Sequence, residues 1–144
     1  MGAHGSGSTW DVIAERRRVL LVEDEISGLR PFGRGLDKHH DVTRVQAGDA
    51  LRRIGSGEAW DVILAFIIMS EMSGFEFSRR VRAARADLGE RLVLMASANA
   101  SSHVANLQAR SPVRIVHVPD SLECLLRLVA ETVPPGCVRE EGLA

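Results

Sequence analysis

The sequence predicts an α/β fold, a doubly wound parallel sheet of five strands. Three observations carry this. Five short apolar runs recur along 144 residues. Segments with helical marks separate them. The first, third and fourth runs are nearly continuous in apolar residues, the pattern of parallel strands covered on both faces. Strand and helix alternating five times within the length of one domain give the flavodoxin-like (βα)5 arrangement, with strand order 2-1-3-4-5.

The predicted strands are "VLLV" at 19–22, "VTRV" at 42–45, "DVILAFII" at 61–68, "RLVLMA" at 91–96 and "VRIVHV" at 113–118. Among the helices, "SGFEFSRRVRAARADL" opens with Ser73 and Glu76 at capping-box spacing and sets Phe77, Val81, Ala84 and Leu88 on one face. "PDSLECLLRLVAETV" repeats the device with Asp120 and Glu123, followed by a stripe of Leu122, Leu125, Leu126, Val129 and Val133. "GDALRRIGSG" is short and "ASSHVANLQAR" is mildly amphipathic. In "EISGLRPFGRGLDKHH", Gly28, Pro31, Gly33 and Gly35 oppose helix continuity, so the first helix is expected to be broken or bent. Residues 1–18 read as a flexible N-terminal extension, 19–133 as the domain and 134–144 as a tail or linker.

Composition narrows the function classes. Hydrophobic residues are 45% of the chain and charged residues 26%, an ordinary globular balance. A formal charge of -1 gives no bulk electrostatic case for nucleic acid or membrane. The arginines Arg52, Arg53, Arg79, Arg80, Arg82 and Arg85 are spread over two helices without interleaved aromatics, which reads as a solvated face. Cys124 and Cys137 have neither metal-ligand nor redox-pair spacing. With no apolar run long enough to span a bilayer, a cytoplasmic protein is expected. Of 18 basic residues only Lys38 is a lysine.

In doubly wound sheets the chemistry lies at the carboxyl ends of the strands, here Glu23, Asp24, Phe66, Ser97 and Val118. The stretches "VLLVEDE", "DVILAFIIMSEMSGFEF", "VLMASA" and "VHVPDS" carry these positions. Over about residues 18–133 they resemble the receiver domain of two-component response regulators. In that family two acids after the first strand and an aspartate ending the third bind magnesium, and the aspartate takes a phosphoryl group. The resemblance sets Glu23 and Asp24 on the acidic pair, Phe66 on the phosphoacceptor, Ser97 on the switch hydroxyl and Val118 on the lysine. It also sets Ser70 on the loop proline and Ile115 on a frequent aromatic.

A phenyl ring offers neither a nucleophilic atom nor an oxygen, so Phe66 cannot accept phosphate. Valine supplies no cation against a phosphoryl charge, and Lys38 is predicted in the first helix or its exit. Glu23 and Asp24 would hold magnesium weakly at best, and no cofactor is expected. Asp61 begins the third strand about 16 Å from the pocket and is excluded as a substitute.

The expectation is therefore a degenerate, phosphorylation-independent receiver, not an enzyme, acting as a protein-interaction module. The resemblance implies a signalling partner such as a histidine kinase or effector, or a second copy. It would bind on the face of the helix after the fourth strand, the fifth strand and the last helix, where His103, Leu107, Arg110, Arg114 and Leu122 are candidates. The alternative is a small-molecule or ion sensor using the altered pocket beside Glu23, Asp24 and Ser97.

Overall fold

A computed structural model describes residues 15–23, 30–96 and 113–132. Its strands are β1 (Arg18–Val22), β2 (Asp41–Val45), β3 (Val62–Phe66), β4 (Leu92–Ala96) and β5 (Arg114–His117). They form one sheet in the order β2-β1-β3-β4-β5, every pair parallel. This is the predicted fold class and order. The helices are α1 (Gly33–His39), α2 (Ala47–Gly55), α3 (Gly74–Ala84), the single turn α4 (Ala86–Gly89) and α5 (Leu122–Thr132).

Alternation along each strand splits the core in two. Leu20, Val22, Ile63, Ala65, Leu92 and Leu94 face one side, where Ile54 of α2 and Phe77 and Val81 of α3 close over them. Val19, Leu21, Val62, Leu64, Val93 and Met95 face the other, under Leu36 of α1 and Leu125, Leu126 and Val129 of α5. Each fully buried side chain of this size contributes about 1.5–3 kcal/mol, so both faces are strongly held.

Several boundaries differ from expectation for local reasons. The third strand stops at Phe66, two residues short of the apolar run. The Ile67 amide still reaches Met95 O at 3.0 Å, but its carbonyl accepts from Gly74 N at 2.7 Å, so the chain has left the sheet. Ile68 beyond it is 67% exposed. The helix expected over 73–88 divides at Arg85, whose backbone is extended. The Arg85 guanidinium reaches Ile54 O and Glu58 O, both at 3.4 Å, and pairs with Asp87 at 3.1 Å. Leu88 is buried as expected, but from α4.

Ser73 caps α3, accepting from Glu76 N at 3.1 Å. The last helix is capped one residue later than expected: Ser121 Oγ, not Asp120, accepts from Cys124 N at 3.1 Å. The first helical segment is irregular, as its glycines and proline suggest. A 3-10 turn at Arg30–Phe32 precedes the seven-residue α1.

The amino edge of the sheet is held by Arg16, Arg17 and Arg18, each in a different way. Arg16 donates to Lys38 O at 3.0 Å and Asp37 O at 3.2 Å, capping the end of α1, and pairs with Asp41 at 2.9 Å. Arg17 is buried, with its guanidinium on Glu15 at 2.7 Å. The Arg18 guanidinium lies 4.5 Å from the Trp60 ring centroid, a cation–π contact worth about 0.5–1 kcal/mol. Residues 16–18 thus make defined contacts at the entrances of β1 and β2.

Candidate functional site

The carboxyl edge is built from the ends of β1, β3 and β5. Val22 pairs with Ala65 across β1 and β3, so Glu23 and Phe66 leave the sheet at the same level. The Glu23 amide donates to Val45 O at 3.1 Å, and its side chain is half-buried. Val118 follows β5, its amide donating to Ala96 O at 3.0 Å. Asp24, Ser97, His103, Leu107 and Arg110 lie outside the described residues.

Phe66 shares the parity of Leu64 and projects to the α1/α5 side of the sheet. It is half-buried there, packed against the cluster of Val19, Leu21, Leu64, Met95 and Leu125. Val118 packs against the same cluster, as do Val116 and Leu122. The two positions that the resemblance assigns to a carboxylate and an ammonium are thus both extensions of one apolar core. A charge at either would meet hydrocarbon unless the other supplied its partner.

The loop after β3 is pinned at two points. Gly74 N returns to Ile67 O, and Glu71 Oε1 accepts from Gly48 N at 2.7 Å in the first turn of α2. A carboxylate there satisfies a helix amide and complements the positive end of the helix dipole. Glu71 is thus a helix-capping group as well as a residue of the pocket loop. Ser73 is occupied in capping α3.

Asp61 sits at the opposite edge, accepting from Arg18 N at 2.8 Å, with Arg91 3.7 Å away. Lys38 lies in α1, exposed. Neither reaches the carboxyl edge.

On the face formed by β5 and α5, Arg114 is exposed and stands 3.6 Å from Glu131. Arg127 pairs with Glu123 at 2.9 Å on the same helix. Leu122 turns the other way: it is half-buried against the core and fills the space beside Gly35.

The helical arginines are largely neutralised. Arg79 and Arg80 converge on Glu76, Arg52 and Arg53 on Asp49, and Arg85 on Asp87. Hydrogen bonds from Arg79 and then Arg80 lower the Glu76 pKa to about 2.

What sequence reasoning missed lies mostly in long-range polar contacts. The Arg17 amide donates to Nδ1 of the buried His40 at 3.1 Å, and Glu71 caps a helix 23 residues upstream. The run "RRR" directly before a strand was the only visible signal, and nothing local marked Glu71.

A five-stranded parallel sheet in this order, with candidate residues at the carboxyl ends of β1, β3 and β5, is the flavodoxin-like fold of response-regulator receiver domains. Solved receiver structures share it. Chemotaxis response regulator CheY4 of Vibrio cholerae matches with a TM-score of 0.66 at 22% identity, over 82% of this chain and 99% of its own. The response regulator receiver protein from Sinorhizobium medicae WSM419 matches at 0.63 and 23%, over 83% and 95%. A structure named as adenylate cyclase from Rhodopirellula baltica has the same fold, at 0.67 and 20%, over 90% and 98%. In sequence, "Probable histidine kinase 3" of Oryza sativa is 31% identical over 87 residues. That stretch is 59% of this chain and 8% of the rice protein's length. No family model matches the chain. No helix among the described residues is long and apolar enough to cross a membrane.

Proposed function

We propose that this chain is a receiver-type signalling domain whose output is not set by aspartyl phosphate, and that it acts by binding another protein. The observation that carries this reading is the joint burial of Phe66 and Val118 against one apolar cluster. In the receiver scheme the phosphoacceptor and the lysine form a charge pair around the phosphoryl group. Here both are hydrocarbon, half-buried against the same apolar cluster.

Magnesium has no part in this reading. It takes six near-octahedral oxygens, usually one or two carboxylates with water and phosphate. Phe66 supplies no oxygen, and Glu23 is the one member of the acidic pair within the described residues. Among these residues no group of three His, Cys, Asp or Glu side chains is placed to hold a metal. With Phe66 at the acceptor position an ion would be one carboxylate short, which supports a reading without magnesium.

Incubation with acetyl phosphate and magnesium, followed by intact-mass spectrometry, should leave the mass of the chain unchanged. A hydroxylamine-labile adduct of one phosphoryl group would overturn the reading.

The binding surface we assign is the outer face of β5 and α5, where Arg114, Glu123, Arg127 and Glu131 alternate in sign. Exposed pairs of this kind stabilise a fold by about 0–1 kcal/mol, so they are available to exchange partners across an interface. The class of partner is a histidine kinase, an effector or a second copy of this chain. Reversing both arginines, Arg114→Glu with Arg127→Glu, should change thermal stability little and weaken binding to the partner at least tenfold. Unchanged binding would remove this face from consideration.

A further inference from the structure

His40 sits at the junction of three elements. It follows the last residue of α1 and precedes β2, and its imidazole lies under the segment that enters β1. It is 1% exposed. Its Nδ1 accepts a hydrogen bond from the Arg17 amide at 3.1 Å, and its own amide returns to Leu36 O at 2.9 Å. The Asp41 amide donates to Arg17 O at 2.9 Å, closing a short ring of contacts between the two strand entrances. Arg16 lies across the same junction, with Nη2 3.4 Å from His40 O.

This arrangement admits only one protonation state. Because Nδ1 accepts from a backbone N–H, it must carry a lone pair, and the imidazole is neutral with its proton on Nε2. A second proton would turn Nδ1 into a donor facing a donor. It would also place a cation where His39, Arg17 and Arg16 already repel it and only Asp41, itself held by Arg16, attracts it. Asp37 and Lys38 of α1 stand on the exposed side of the same turn. Nε2 is buried without a hydrogen-bond partner, so it offers no compensating contact.

The release of this junction would travel. α1 is only seven residues long, and at Gly35 it approaches α5 so closely that an added Cβ would fall inside the Leu122 side chain. α1 is therefore wedged between the His40 junction at its carboxyl end and α5 along its side.

We propose that the His40–Arg17–Arg16 junction is an acid-sensitive latch: protonation of His40 frees the carboxyl end of α1 from the entrance of β1 and, through the Gly35–Leu122 contact, loosens α1 against α5. A proton would then be an input to this domain that needs no phosphoacceptor. The inference does not rest on the reading of Phe66.

The sign follows from linkage. Burial first, then His39, Arg17 and Arg16, lower the His40 pKa from 6.5 to about 4. A depressed histidine pKa stabilises the latched state fully above 6.5, and that stability is lost as pH falls toward and through 4. From these two values, the equilibrium for opening the latch should rise about 100-fold between pH 7 and pH 4.

The test is residue-resolved amide exchange on the full chain by NMR, from pH 7 to pH 4, corrected for intrinsic exchange rates. In the wild type, protection at Arg17, His40 and Asp41 should fall about 100-fold, while Leu64 and Leu94 in the sheet centre stay protected and the Leu122 methyl signals shift. In His40→Asn, whose side-chain oxygen can keep the bond from Arg17 without titrating, the same amides should stay protected. Equal loss in both proteins, or loss across the whole sheet in the wild type, would overturn the proposal. Unmoved Leu122 methyls would overturn the coupling to α5. Should His40→Asn fail to fold, the wild-type imidazole nitrogens decide: an Nδ1 that titrates near 6.5, or protonates with the Arg17 contact intact, refutes the latch.

Discussion

Gly74→Ala should lower the melting temperature by roughly 10 °C, from a loss of about 3 kcal/mol. A Cβ at this position would lie 2.5 Å from Phe66 O and 2.9 Å from Ile67 Cα. Both are backbone atoms at the end of β3, and neither can rotate away. The same residue donates to Ile67 O at 2.7 Å, so relieving the clash also breaks the bond that closes the loop. Gly35→Ala is the internal comparison. Its Cβ would overlap Cδ2 of the Leu122 side chain and lie 3.1 Å from its Cγ, but these are side-chain atoms that can turn aside, and alanine recovers about 1 kcal/mol of helix propensity over glycine. Its net change should stay within about 1 kcal/mol. Thermal or denaturant unfolding of both variants decides the matter, and equal losses would show that backbone contact at Gly74 is not what distinguishes them.

Phe66→Asp should give a protein that is destabilised and still phosphorylated poorly by acetyl phosphate. Losing a half-buried ring from the α1/α5 cluster costs about 2 kcal/mol, and the carboxylate that replaces it lies against that apolar cluster. Desolvation there raises its pKa and lowers the fraction in the nucleophilic form. Adding Val118→Lys supplies a counter-charge to the carboxylate and to the incoming phosphoryl group. A charge-assisted hydrogen bond worth about 1.5–3 kcal/mol corresponds to roughly ten- to a hundredfold in rate. Phosphorylation of the double variant, read by intact mass and hydroxylamine lability, should exceed that of the single variant by that factor. Equal rates would mean that position 118 does not govern the chemistry of this edge.

The three inner strands were legible because parallel strands buried on both faces leave nearly continuous apolar runs, and the two edge strands followed from shorter, interrupted runs at the expected spacing. Where one run outlasted its strand, at Ile67 and Ile68, the extra apolar residues served the loop instead. The split at Arg85 and the shift of the last cap to Ser121 accompany specific side-chain hydrogen bonds, which periodicity does not encode. The candidate site was legible in part. Phe66 and Val118 could be located from strand ends and motif spacing, but that both join one cluster needed the sheet. The roles of Arg16, Arg17, His40 and Glu71 depend on partners more than 20 residues away in sequence, and no local pattern announces them.

The sheet order also sets a constraint on how the chain is made. β1 lies between β2 and β3, so the strand synthesised first is paired on both sides only after β3 exists. Arg18 and Asp61, which meet at the entrances of those two strands, are 43 residues apart. At about 5–20 residues per second that interval is roughly 2–9 s of synthesis, during which the apolar edge of β1 facing β3 stays open to other chains. The nascent protein is therefore vulnerable to misassembly at a strand that ends up paired on both sides.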